Sequence, residues 1–168
     1  MKISIVFFSL SGRTKRLSEL IAGYLKSEGI DADVFCLETK ETGRFIKNCM
    51  DAFRKKQVKL ENMPQIAGSE FVLLGSPVWA FDIAPAMRSF LANAGLDGKK
   101  VFLFTTYGSG KGKENAMKTF SGLVKNKGGV VIGSADAKGR KVNEEFPLLK
   151  GVLEECLKRY QLIKRPKQ

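Results

Sequence analysis

The first candidate binding segment is SLSGRT, residues 9–14, which follows an apolar run and precedes a segment with helical spacing. Ser9, Ser11 and Thr14 supply hydroxyl groups, and Gly12 lets the backbone approach a ligand closely. If a helix begins directly after this segment, its free N–H groups and its dipole favour an anion. The alternative is an ordinary strand-to-helix turn in which Ser11 or Thr14 only caps the helix. The segment alone leaves both interpretations open.

Two later segments carry aromatic residues and glycines at the ends of predicted strands. The segment SPVWAFDIAP, residues 76–85, contains the only tryptophan, Trp79, with Phe81 two residues later. An aromatic side chain on a binding loop suits stacking against a flat ring, and a buried packing role for Trp79 is the alternative. The segment TYGSGKG, residues 106–112, places Tyr107 before glycines. Their N–H groups can face the polar edge of a ligand, or the glycines form only a turn.

The composition excludes several classes of catalytic site. The 168-residue chain contains no histidine, which removes the usual zinc sites and the histidine-dependent triads or acid–base pairs. Its three cysteines, Cys36, Cys49 and Cys156, are widely spaced, so we expect buried reduced thiols rather than disulfides. No apolar run is long enough to cross a bilayer, and the first residues are strand-like instead of resembling a secretory signal. A cytoplasmic protein is therefore expected.

The formal net charge of +12, from 29 Lys and Arg against 17 Asp and Glu, favours acidic partners. Nucleic acids, phosphorylated cofactors, anionic lipids and acidic proteins all satisfy this condition. Basic residues are spread along every predicted helix, and no RNA- or DNA-binding fingerprint accompanies them. We therefore interpret the basic runs as solvated helix faces and expect no specific nucleic-acid binding.

An alternation of predicted strands and helices positions the three segments. Short apolar runs predict strands over residues 3–8, 33–37, 71–75, 100–106 and 130–135. Helical apolar spacing predicts helices over residues 17–28, 45–53, 84–94, 115–127 and 143–161. Ser76 and Pro77 are expected to break the third strand. The pattern indicates one three-layer α/β/α domain over residues 1–162, built on a five-stranded parallel sheet, and a basic tail over residues 163–168.

The predicted sheet brings the candidate segments to one edge. In an open parallel sheet, ligands bind outside the carboxyl ends of the strands, where the strand order reverses. The segments at residues 9–14, 76–85 and 106–112 follow the first, third and fourth predicted strands. An anion cradle, aromatic side chains and a glycine loop with free donors together fit a flat heterocycle that bears a phosphate.

These segments resemble the flavodoxin-like family over nearly the whole chain. FFSLSGRTKRL, residues 7–17, is similar to the family's first strand and phosphate loop, usually written T/S-x-T-G-N-T. LLGSPVWAFDIAPAMRSFL, residues 73–91, is similar to its GSPVWxxxxxPxxxxFL stretch, and KKVFLFTTYGSGKG, residues 99–112, to its third flavin-contacting loop. The resemblance implies the strand order 2-1-3-4-5 that is known for flavodoxin, with FMN bound where the order reverses.

The resemblance also implies which residues contact FMN. The phosphate would be held by the first loop, including the Leu10 amide: Ser9, Leu10, Ser11, Gly12, Arg13 and Thr14. One side of the isoalloxazine, with backbone groups near N5, would be lined by the second loop: Pro77, Val78, Trp79, Ala80 and Phe81. The pyrimidine edge and the other face would meet the third loop: Thr106, Tyr107, Gly108, Ser109 and Gly110. No catalytic side chain and no metal site are implied.

The chain departs from the family pattern in its charge and at two positions in the loops. Arg13 stands where the pattern prefers Asn, so its guanidinium either grips the phosphate or points to water. Phe81 and Asp82 replace the Gly-Thr or Gly-Gly common after the tryptophan. Familiar electron-carrier flavodoxins are acidic, whereas this chain is basic, and Lys111 and Lys113 beside the third loop would favour a negatively charged reduced flavin.

Two functions follow from the resemblance. The first is an FMN-binding flavoprotein that transfers electrons to or from an acidic redox partner protein. The second is an FMN-dependent NAD(P)H:quinone-type oxidoreductase, whose dinucleotide would suit the positive charge although no second nucleotide motif is visible. The oligomeric state, monomer or homodimer, stays open.

Overall fold

The computed structural model of the protein describes residues 2–39 and 57–160. The helix predicted over residues 45–53, the residue Cys49 and the tail over residues 163–168 lie outside these ranges. The strands are β1 Ile3–Phe7, β2 Ala32–Cys36, β3 Phe71–Trp79, β4 Asp82–Ile83, β5 Lys100–Tyr107 and β6 Val130–Lys138. The helices are α1 Arg13–Ser27, α2 Pro85–Asn93, α3 Lys113–Asn126 and α4 Val142–Arg159, with a 3-10 turn at Gly139–Lys141 before α4.

The main sheet has the predicted topology. Its strands lie in the order β2-β1-β3-β5-β6 and all pair in parallel, which is the expected order 2-1-3-4-5. Buried side chains of α2 and α3 form a core with one face of the sheet, and those of α1 and α4 form a second core with the other face. The three-layer α/β/α prediction is confirmed. The short strand β4, which pairs antiparallel with the end of β3, was not predicted.

The prediction that Ser76 and Pro77 break the third strand is wrong. β3 continues to Trp79 and pairs with β5 as far as Pro77 opposite Thr106. The Phe8 N–H donates to the Gly75 carbonyl at 3.1 Å, so the peptide groups of Gly75 face β1. Pro77, two residues later, faces the same side, where β1 has already ended. The N–H that proline lacks is therefore not needed by the sheet.

The expectation of buried thiols is correct for Cys156 and wrong for Cys36, which is exposed. Cys36 ends the edge strand β2, whose residues are half-buried or exposed because neither face of this edge is fully covered. Cys156 lies on α4 against β6, where its thiol donates to the Ile132 carbonyl at 3.3 Å. Within the described part of the chain, none of the helices is both long and apolar enough to cross a membrane.

Candidate functional site

The structure brings the three predicted segments together at the carboxyl edge of the sheet. β2 pairs with one side of β1 and β3 with the other, so the strand order reverses between β1 and β3. The loops that follow β1, β3 and β5 leave the sheet side by side at this point. Two contacts join them: Thr14 to Thr106, and Asn115 of α3 to the carbonyl of Phe81. The reversal of strand order that was predicted to place the three loops together is therefore present.

The first loop ends in an uncapped helix N-terminus. Gly12 adopts a left-handed conformation with φ of 81°, and no side chain among the described residues caps α1. All residues of the first turn of α1 lie in the described part of the chain, and none of them is acidic. The interpretation in which Ser11 or Thr14 only caps the helix is thus not supported. The backbone N–H groups of this turn and the helix dipole are available to an anion.

The hydroxyl of Ser9 is buried and has no hydrogen-bond partner among the described residues. A buried hydroxyl without a partner is costly, because it has lost water and gained nothing in return. Ser9 lies in the loop that leads into the uncapped turn of α1, where a phosphate oxygen could accept a hydrogen bond from its hydroxyl. This orphaned donor is the observation that fits the first loop to a phosphate.

Thr14 and Thr106 form a link between the first and third loops. Their hydroxyl groups lie 2.8 Å apart, and the two residues are only 1% and 4% exposed. A hydroxyl can donate one hydrogen bond and accept others, so this bond does not exhaust either group. The structure therefore shows these two predicted ligands holding each other, and their contact with a phosphate stays a prediction.

Arg13, Ser11 and Gly12 are exposed, whereas Leu10 is half-buried. The aliphatic part of Arg13 passes over the backbone of Gly139, where an added Cβ would come within 2.6 Å of the Arg13 Cδ. The side chain is therefore packed against the 3-10 turn after β6, and its role towards a phosphate stays a prediction.

The second loop is a tight hairpin between β3 and β4. Its tip residues, Ala80 and Phe81, have φ values of 46° and 67°, which non-glycine residues adopt rarely. Pro77, Val78 and Ala80 are half-buried, and Phe81 is 53% exposed. Phe81, rather than the tryptophan, is thus the aromatic residue presented at the surface of this loop.

Trp79 is buried, with 7% of its surface exposed. Its ring packs edge-on against Phe8, with the centroids 5.5 Å apart and the planes at 90°. This is the packing role that was the alternative to ring stacking. Sequence spacing did not reveal it, because the strand was expected to end before Trp79.

The third loop contains an aromatic–cation–carboxylate cluster. Lys113 Nζ lies 4.7 Å from the centroid of the half-buried Tyr107 ring and donates to Asp136 Oδ1 at 3.0 Å. The hydrogen bond to Asp136 is the main cause that raises the pKa of Lys113 above its ordinary value. The charge of Lys113 is thus locally compensated, whereas Lys111 is exposed with no ion pair among the described residues. Gly108 and Ser109 are exposed, and Gly110 is half-buried with φ of 85°.

Sequence reasoning missed Asn115 and Asp136, which shape this edge, and it did not recognise Gly112 as the N-cap residue of α3. Gly112 starts α3 with φ of 76°, as Gly12 starts α1, and α3 also has no side-chain cap from the described residues. A glycine directly before each of these two helices was the available signal for Gly112. The partners of Asn115 and Asp136 lie far away in the chain, so nothing local pointed to them.

Two depressions lie elsewhere on the described part of the chain. One depression between α2 and α3 is lined by Arg88, Leu91 and Lys127, and another near the amino ends of the strands by Met63, Asn93 and Asp97. Both lie away from the three loops. No group of three potential metal ligands occurs among the described residues.

The comparisons with known proteins agree with this geometry. The family model described as NADPH-dependent FMN reductase matches residues 1–140, which include all three loops. A flavoprotein from Lactobacillus acidophilus, solved in complex with FMN, is 23% identical with a TM-score of 0.66 over 85% of this chain and 97% of that chain. The two-electron reduced flavodoxin of Megasphaera elsdenii is 25% identical, with a TM-score of 0.58 over 80% of this chain and 84% of that one. Flavodoxin 1 of Bacillus cereus is 18% identical, with a TM-score of 0.61 over 92% and 98% of the two chains.

The structural likenesses confirm the flavodoxin-like fold, and the family match covers the segments on which the resemblance was based. The individual contacts between the loop residues and the cofactor stay predictions. The chain belongs to the NADPH-dependent FMN reductase family, and it is a flavodoxin-like protein with FMN as its cofactor.

Proposed function

We propose that the protein uses FMN, bound at the edge formed by the three loops, to transfer electrons to or from an acidic redox partner protein. The proposed binding mode is supported by the structure of the predicted phosphate site, where the Ser9 hydroxyl has no partner among the described residues and the N-terminus of α1 is uncapped. FMN supplies the chemistry, since a bound flavin can accept and release one or two electrons. The protein's part is to hold, orient and shield the flavin.

Each loop has a separate task in this proposal. The first loop holds the phosphate through Ser9, the N–H groups after Gly12 and the neighbouring hydroxyls. The second loop places the backbone of Ala80 and Phe81 along one side of the ring. The third loop presents Tyr107 and the N–H groups of its glycines to the ring and its polar edge. The exposed residues at the loop tips leave this edge accessible to a partner.

The charge around the site supports an acidic partner. Arg13, Lys111 and Arg140 are exposed, and no ion pair with another described residue neutralises them. Lys113 and Lys141, in contrast, are paired with Asp136 and Glu144. Unpaired surface cations attract an acidic partner over about one Debye length, roughly 10 Å at 0.1 M salt.

The second candidate function is an NAD(P)H-dependent reductase of quinone-type acceptors, and the family match favours it. The same exposed cations suit the phosphates of a dinucleotide. In this case the reduced nucleotide approaches the flavin edge directly, and no reductase protein is needed between them.

Anaerobic reduction of the FMN-loaded protein by NADPH and by NADH tests the two functions against each other. Reduction of the bound flavin within seconds, followed by turnover with a quinone, would establish the reductase. If neither nucleotide reduces the flavin without an added reductase protein, the electron-transfer function stands. Free FMN at the same concentration is the control for uncatalysed reduction.

The partner chemistry is tested with an acidic ferredoxin as the probe. The Lys111→Gln variant should react several-fold more slowly than the unaltered protein at low salt. The Lys125→Gln variant, changed near the other end of α3, should react at the unaltered rate. Equal rates for all three proteins would contradict docking at the basic edge.

A further inference from the structure

The tip of the β3–β4 hairpin is held in an unfavourable backbone conformation. Ala80 and Phe81 both have positive φ, at 46° and 67°, and neither is the Asn or Gly that such turns favour. A left-handed conformation of a residue with a Cβ costs on the order of 1 kcal/mol or more. The conformation therefore persists only if other parts of the structure stabilise it.

The stabilising contacts come from the start of α3. Asn115 Nδ2 donates a hydrogen bond to the Phe81 carbonyl at 2.9 Å, across 34 positions of sequence. Gly112 provides the space for Phe81, because a Cβ added there would collide with the Phe81 ring and come within 2.8 Å of its Cα. The tip of the second loop thus rests on Gly112, the last residue of the third loop, and on Asn115 at the start of α3.

The base of the same hairpin is fixed separately. Asp82 is 5% exposed, accepts the Ile83 N–H at 2.8 Å and pairs with Arg88 of α2 at 2.5 Å. The Ala84 N–H donates to the Ser76 hydroxyl at 2.9 Å. The side chain of Asp82 at the base is thus held by α2, whereas the carbonyl of the tip residue Phe81 is held by Asn115 of α3.

We propose that Asn115 is a positioning residue that holds the 80–81 turn in its left-handed conformation and thereby presets the ring side of the FMN site. The inference rests on the proposed function, in which the backbone of this turn lines the isoalloxazine. Asn115 acts through the Phe81 carbonyl, so its effect reaches the flavin ring and not the phosphate. Its loss weakens binding of FMN and of riboflavin, which lacks the phosphate, by the same factor.

The first experiment measures hydrogen exchange of the Ala80, Phe81 and Asp82 amides in the apoprotein. Asn115→Ala should speed this exchange, whereas Asn126→Ala, an exposed asparagine at the other end of α3, should not. Unchanged exchange in Asn115→Ala would overturn the proposal. This measurement needs no cofactor, so it decides whether Asn115 holds the turn even if the unaltered protein fails to bind FMN. That failure would instead overturn the proposed function.

The second experiment measures dissociation constants for FMN and riboflavin by flavin fluorescence. Asn115→Ala should weaken both by about 3- to 10-fold, the equivalent of one ordinary hydrogen bond. Adding Ala80→Gly, which removes the steric cost of a positive φ, should recover part of the affinity. A loss confined to FMN, or no recovery in the double variant, would contradict positioning through the turn.

Discussion

Replacing Ser9 by alanine should change the stability of the apoprotein and the affinity for FMN in opposite senses. In the apoprotein the Ser9 hydroxyl is buried without a partner among the described residues. An unsatisfied buried hydroxyl costs about 1–3 kcal/mol, and the alanine variant does not carry this cost. We therefore expect Ser9→Ala to raise the free energy of unfolding by about 1 kcal/mol. For a protein of this size that corresponds to a rise of roughly 2–4 °C in Tm.

The same substitution should weaken FMN binding. A hydrogen bond to a charged group contributes about 1.5–3 kcal/mol, and each 1.4 kcal/mol is about a tenfold change in the dissociation constant. Ser9→Ala should thus raise the Kd for FMN by about 10- to 100-fold. Riboflavin has no phosphate, so its Kd should stay unchanged.

Fluorescence titration with both flavins and thermal unfolding of the apoprotein measure these quantities. Thr105→Val is the matched control, since the Thr105 hydroxyl is also buried without a partner among the described residues. Thr105 points to the opposite face of β5 from Thr106 and so away from the link with Thr14. This variant should gain stability and bind both flavins normally.

Two results would refute the reasoning about Ser9. A less stable Ser9→Ala apoprotein would mean that the hydroxyl makes a stabilising bond in the folded chain. An equal loss of affinity for FMN and riboflavin would mean that Ser9 acts on the ring and not on the phosphate.

Three further predictions follow from the packing. Burial, with the nearby Glu154 and Glu28, raises the pKa of Tyr24 to about 12, so the unfolded chain loses this proton near pH 10 while the folded chain keeps it. The free energy of unfolding should therefore fall by about 2–3 kcal/mol between about pH 10 and 12. Denaturant unfolding across this range should show a smaller fall for Tyr24→Phe than for the unaltered protein. Gly75→Ala should lower the free energy of unfolding by about 1–3 kcal/mol, because its Cβ would overlap the Phe104 ring. The control Gly23→Ala, which has open space in α1, should raise the free energy of unfolding by about 0.5–1 kcal/mol. Equal stability of the two variants would contradict the overlap. Arg13→Asn should weaken FMN binding about 2- to 5-fold at low salt and little at high salt, whereas an unchanged Kd in titrations at both salt concentrations would place the guanidinium in water.

The strands and the positions of the loops were predictable because they depend on local patterns. The apolar runs marked every strand of the main sheet, and the glycine and hydroxyl content marked the first loop. The strand order required the resemblance to a known family, since apolar runs do not say which strands pair. The prediction for the end of β3 was wrong because a sheet accepts a proline at position 77 only if the neighbouring strand β1 has already ended. The pattern around Pro77 does not show where β1 ends.

The details of the site depend on contacts between distant residues. Thr14 meets Thr106 across 92 positions, and Asn115 meets Phe81 across 34. No local sequence pattern predicts such pairs. The positive φ values of Ala80 and Phe81 are also contrary to the intrinsic backbone preference of both residues. The burial of Trp79 likewise follows from its packing against Phe8, a neighbour only in the folded sheet.

The uncapped start of α1 has a consequence for how the protein responds to its ionic surroundings. Backbone N–H groups are neutral dipoles acting at contact distance, and dissolved salt screens such short-range, partly buried interactions much less than those of exposed charges. The exposed cations at the edge of the site act over longer distances and are screened readily. If the proposed acidic partner docks at this edge, a rise in ionic strength should release it while the cofactor stays bound. Under the proposed electron-transfer function, the protein would then exchange partners without losing its flavin.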